Sequence, residues 1–168
     1  MNRESRYETL GLEKKNLPSI GHASRTAVAA TASVLIARMV GMPEAYWAAI
    51  TTLVIMQSSL GATPKLSVER IVASALGASL GPIVSTYFGQ NLVLFCLAIF
   101  LLGLVAFGFR VEKTGYRYAS ITFAIIVLIP RAETPWIVAM HRFLEVAIGI
   151  LVALAVVALW PEKDGAPE

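Results

Sequence analysis

The sequence predicts an all-α membrane protein of six transmembrane helices, built as two inverted three-helix repeats. Three observations carry this expectation. Of the 168 residues, 57% are hydrophobic and 15% charged, with a mean hydropathy of +0.69, whereas soluble domains sit near about 45–50% apolar and about 25% charged. The apolar residues fall into six runs. The stretch from Tyr46 to Gly81, YWAAITTLVIMQSSLGATPKLSVERIVASALGASLG, returns in fainter form from Tyr118 onward. Trp47-Ala-Ala-Ile-Thr51 aligns with Tyr118-Ala-Ser-Ile-Thr122, and Thr63-Pro64 with Thr134-Pro135, 71 positions later. With one residue of slip, Arg70, Ala75 and Gly77 fall on Arg142, Ala147 and Gly149. Three crossings per copy is an odd number, so the second copy enters the membrane from the opposite side, as in two-fold transport scaffolds.

Residues 1–23 form a polar tail in which Arg3, Arg6, Lys14 and Lys15 face Glu4, Glu8 and Glu13. The basic flank resembles a signal peptide, but Arg38-Met-Val-Gly-Met-Pro is no small-residue cleavage site and more spans follow, so the segment is expected to remain. The membrane domain covers 24–160, with spans at Ser24–Val40, Ala45–Leu60, Leu66–Phe88, Asn91–Phe109, Tyr116–Ile129 and Trp136–Trp160; a short tail, 161–168, closes the chain. A helix needs about 20 residues to cross about 30 Å of hydrocarbon. The second and fifth runs fall short of this and occupy matching places in the two copies. That is either the mark of a binding region in repeat-built transporters or a matter of boundaries drawn a few residues off.

Lys and Arg set the orientation. With the N-terminus inside, eleven lie on the cytoplasmic side and three (Arg38, Arg131 and Arg142) on the other, which places both termini in the cytoplasm. Thr63-Pro64 and Thr134-Pro135 each put a capping hydroxyl before a proline at the first helical position. Ala73, Gly77 and Gly81, four apart, let helices approach closely. Trp47, Trp136 and Trp160 lie near span ends, where belt aromatics sit. The net charge of +3 does not point to nucleic acid, and the single Cys96 excludes an intrachain disulfide.

The residues Tyr46-Trp-Ala-Ala-Ile-Thr51, Met56-Gln57, Leu60-Gly-Ala-Thr63, Glu69-Arg70 with Gly77 and Gly81, Arg142 with Glu145 and Gly149, and Trp160-Pro161 together resemble the fusaric acid resistance protein family. These are bacterial inner-membrane proteins grouped with aromatic acid exporters, and plant aluminium-activated malate channels are distant relatives. The resemblance covers nearly everything after residue 24. It implies a six-helix module in the bacterial inner membrane, a homodimer or higher homo-oligomer, exporting small organic anions. Two departures stand out: Ser58 replaces a proline common in the Gln-Pro-x-Leu-Gly-Ala-Thr stretch, and this chain ends at Glu168 where larger members carry a cytoplasmic domain or a second membrane module. The second departure bears on autonomous transport more than on the fold.

Charges inside the spans are the local signal for chemistry, because each costs at least about 2.5–3.5 kcal/mol in hydrocarbon without a partner or water. Arg70 and Arg142, with Arg38 and Gln57, are the candidate substrate-binding residues: guanidinium and amide donors suit a carboxylate. Glu145, His141 and Glu69 are candidates for proton coupling, since His141 and Arg142 lie four and three residues before Glu145 on a helix. A structural ion-pair lattice explains the same charges equally well. Gln57, Ser58 and Ser59 either line a path or satisfy loosened backbone. No nucleophile–base set, phosphate-binding loop or CxxC is present, and two histidines are too few for most metal sites, so neither an enzyme nor a cofactor is expected. The expected function is export of organic carboxylates, with aromatic acids as candidate substrates and proton coupling as a hypothesis. A passive anion channel and an accessory subunit without flux of its own are the alternatives.

Overall fold

A computed structural model of the chain describes residues 20–57, 63–108, 113–130 and 132–160. Among these the chain is all-helical, with six helices and no strand. They are α1 (Ile20–Met39), α2 (Tyr46–Met56), α3 (Thr63–Phe88), α4 (Leu92–Gly108), α5 (Lys113–Leu128) and α6 (Pro135–Leu159). The predicted order holds, and the ends shift by a few residues. Residues 20–23, expected in the N-terminal tail, are the start of α1, while the expectations about 1–19, 161–168, Ser58, Ser59 and Arg131 lie outside the described residues.

Among the described residues two helices, Pro64–Phe88 within α3 and all of α6, are long and apolar enough to cross a membrane. At about 1.5 Å per residue, α2 with 11 residues is far shorter than the run that predicted it. The apolar α4 has 17 described residues. The helices present large apolar side chains outward, among them Leu92, Phe100, Phe107 and Leu151. So many exposed large apolar side chains suit a hydrocarbon surrounding rather than water.

α3 and α6 form the centre and touch each other. α3 packs mainly on α5, and α6 packs on α2 and α1. The third helix of each half of the chain thus rests on the second helix of the other half, a crossed arrangement that the sequence alone does not foretell. Close approach depends on two glycines. A Cβ on Gly77 would lie 2.5 Å from the Ala119 carbonyl oxygen, and a Cβ on Gly149 would lie 2.5 Å from that of Ala48. Both are closer than atoms can come, so only glycine lets the backbones meet. α1 turns Ala29, Ser33 and Ala37 inward at a spacing of four, a small-residue face on which α2 and α6 pack. Phe123, wholly buried, ties α5 to α4 by stacking on Phe95 at 5.8 Å between centroids.

The predicted cap at Thr134 takes a different form. Thr134 occupies the N-cap position in extended backbone and Pro135 follows, but the hydroxyl makes no capping bond. Its carbonyl oxygen instead accepts from the N–H groups of Ile137 and Val138 at 3.0 and 3.2 Å.

Candidate functional site

The site begins at the turn after α1. Gly41, at φ 79°, ends that helix in the left-handed conformation that favours glycine. The N–H of Met42 reaches the Ala37 carbonyl and that of Gly41 the Arg38 carbonyl, each at 2.9 Å, which closes a Schellman turn. The reversal delivers Pro43-Glu44 to the side of α6. There the Glu44 carboxylate meets Arg142 Nη2 in a close ion pair and accepts a hydrogen bond from the Tyr46 hydroxyl at 2.9 Å. Arg142 Nη1 donates to Glu145 Oε2 at 3.1 Å, and the Glu44 backbone N–H donates to Glu145 Oε1 at 3.1 Å. The Arg142 guanidinium carbon lies 4.1 Å from the centre of the Trp47 ring. Arg142 and Glu145 are 2% and 1% exposed. One buried cation therefore holds two carboxylates, and desolvation makes each partner indispensable to the others.

Arg70 on α3 is placed otherwise. It is 7% exposed, donates from Nη2 to Thr51 Oγ1 at 3.1 Å, and stacks 4.2 Å from the centre of the Tyr118 ring. Its Nε has no hydrogen-bond partner, and no carboxylate pairs with it among the described residues. The neighbouring acid, Glu69, is turned to Lys65 at 4.0 Å. Among the described residues, then, this guanidinium has none of the carboxylate counter-ions that buried charge ordinarily takes.

The two arginines border one small cavity of about 20 Å³, walled also by Trp47, Tyr118, Ser74 and Thr122. That is room for a single water-sized group. The contacts around it come in matched pairs: Arg70 on Tyr118 and Arg142 on Trp47, Gly77 against Ala119 and Thr122, Gly149 against Ala48 and Thr51. Each partner sits 71 or 72 positions from its counterpart.

The sequence profile of the fusaric acid resistance protein-like family matches residues 30–156. The chain belongs to that family. Two relatives from Escherichia coli (strain K12) support the assignment. Inner membrane protein YeeA is 32% identical over 152 residues, covering 86% of this chain and 42% of the relative. Inner membrane protein YccS is 25% identical over 142 residues, covering 84% of this chain and 20% of the relative. The chain thus spans less than half the length of either. No solved structure matches with significance.

Within this member of the fusaric acid resistance-like family, Arg70 and Arg142 are brought to one cavity and Glu145 to Arg142. The remaining candidates lie elsewhere. His141 turns to Glu133, with Nδ1 3.6 Å from its carboxylate, rather than toward the cavity. Arg38 is exposed in the last turn of α1, and Gln57 is exposed at the end of α2. Sequence reasoning missed Glu44 altogether. Its one signal was the turn Gly41-Met-Pro-Glu44, which places an acid at the mouth of the second span.

Proposed function

We propose that this chain is a bacterial inner-membrane transport protein that exports small organic carboxylates, with Arg70 as their anchor. The observation that carries the reading is the buried guanidinium of Arg70, which stands beside a cavity with hydroxyls around it and, among the described residues, no acid upon it. The inner-membrane names of the two relatives support the location. Six crossings, an inverted pair of three-helix units, cytoplasmic termini and a homo-oligomeric state belong to the same proposal. Matched arginine–aromatic and glycine–backbone contacts support the paired units, and the distribution of Lys and Arg supports the orientation.

In this mechanism Arg70 offers a planar fork of donors to a carboxylate, with Thr51, Ser74 and Thr122 supplying hydroxyls. Glu145 and Glu44 on Arg142 take up and release the protons that drive export. The cavity holds no more than a water-sized group, so passage requires the surrounding helices to part. The test is flux of benzoate and malate from proteoliposomes under a pH gradient or a membrane potential alone. Export that follows the pH gradient, and loses that dependence in Glu145→Gln, is the expected result. Flux that follows potential and ignores pH would make the protein a passive channel, and no flux at all would overturn the transport reading.

A further inference from the structure

We infer that the carboxylate ligand seats on Arg70 in the place that the chain's own acids take on Arg142, and that Ala73 and Gly115 are the positions that leave this place to a ligand. The ligand's class rests on the transport reading above. The register that relates the two arginine–aromatic pairs gives the rest. Glu145 is the third residue after Arg142, and the third after Arg70 is Ala73, buried on the same helix. Glu44 is the third residue before Trp47, and the third before Tyr118 is Gly115, also buried.

One half of the site therefore carries both acids, and the other carries neither. Around Arg142 the acids come from two elements, Glu145 from α6 and Glu44 from the turn before α2, and they occupy both terminal nitrogens of the guanidinium. Around Arg70 the corresponding positions have no side chain able to do this. Glu69 does not substitute, because it lies against Lys65. Arg70 nonetheless keeps the same aromatic stacking, at 4.2 Å against 4.1 Å for Arg142. The orientation of the guanidinium is thus set by its ring and by the Thr51 hydroxyl, without an acid among the described residues. What the chain places on one of two matched arginines shows the chemistry that fits the other: planar carboxylate oxygens on the terminal nitrogens. Installing an acid at Ala73 should convert the open half into a copy of the closed one and compete with the ligand.

Equilibrium binding of radiolabelled benzoate, malate and acetate to the full chain in lipid nanodiscs tests this. The wild type is expected to bind at least one of the three acids. Arg70→Gln and Ala73→Glu should each weaken binding at least tenfold, while Ala73→Gln, of equal size but uncharged, should stay within about threefold of wild type. Gly115→Asp, which brings an acid from α5, should repeat the loss if Ala73→Glu fails to fold. Binding unchanged by folded Ala73→Glu, equal losses in Ala73→Glu and Ala73→Gln, or no binding of any acid by the wild type would overturn the inference. If the binding pattern holds but proteoliposomes move no acid, the site stands and the transport reading fails. Flux that is indifferent to Ala73→Glu sinks the site and leaves transport intact.

Discussion

Replacing each central arginine by glutamine should give opposite outcomes for stability. Arg142→Gln strips the cation from Glu145, which is 1% exposed, and from Glu44. Removing one partner of a buried pair typically costs about 3–5 kcal/mol, because the charge left behind is uncompensated. The lost stacking on Trp47 adds about 0.5–2 kcal/mol. At about 2–4 °C per kcal/mol for a chain of this size, the unfolding midpoint should fall by on the order of 10 °C. Arg70→Gln gives up one hydrogen bond, about 0.5–1.5 kcal/mol, and a ring contact of about 0.5–2 kcal/mol. It also relieves the desolvation of a buried cation with no carboxylate partner among the described residues, worth several kcal/mol. These terms offset, so Arg70→Gln should match the wild type or exceed it. The assay is thermal unfolding in nanodiscs, followed by tryptophan fluorescence without added anion. Glu145→Gln in the Arg142→Gln background should recover part of the loss, since it removes the stranded charge. Equal drops for the two single variants would refute the division between a paired and an unpaired arginine.

Further outcomes follow from the packing and the topology. Gly77→Ala and Gly149→Ala each force a methyl against a carbonyl 2.5 Å away, so each should cost about 1–3 kcal/mol; Gly108→Ala meets nothing within 4 Å and should leave the midpoint unchanged. Phe123→Ala opens a cavity between α5 and α4 and should cost about 3–5 kcal/mol, read by the same unfolding assay. Cysteines placed at residue 2 and residue 166 in a Cys96→Ser background should react with an impermeant thiol reagent only in inside-out vesicles; labelling of either from the outer face would contradict the proposed orientation.

Much of the candidate site was legible because charge inside an apolar run is conspicuous. Arg70, Arg142 and Glu145 stand out in that way, and the structure brings the two arginines to one cavity. Glu44 was not legible, because an acid beside Pro43 at a helix turn ordinarily faces solvent. Only contact across 98 residues of chain reveals that it serves Arg142. His141 and Glu145 share a helix face by spacing, yet Glu133 in the preceding turn lies within 3.6 Å of His141. The order of helices followed from the apolar runs, whereas the crossed packing of α3 on α5 and α6 on α2 did not. Hydropathy marks which segments are buried and says nothing of which neighbour buries them. The repeated Gly77 and Gly149 were the nearest clue, since glycines in matched positions mark where backbones meet.

In the proposed function Arg70 is a buried cation kept for an external carboxylate. Efflux of preloaded benzoate and malate from proteoliposomes of wild type and Arg70→Gln, matched for folded protein, tests it most directly. Efflux by the wild type that falls at least tenfold in Arg70→Gln, with no loss of thermal stability, is the predicted result. Equal efflux from the two proteins would contradict it.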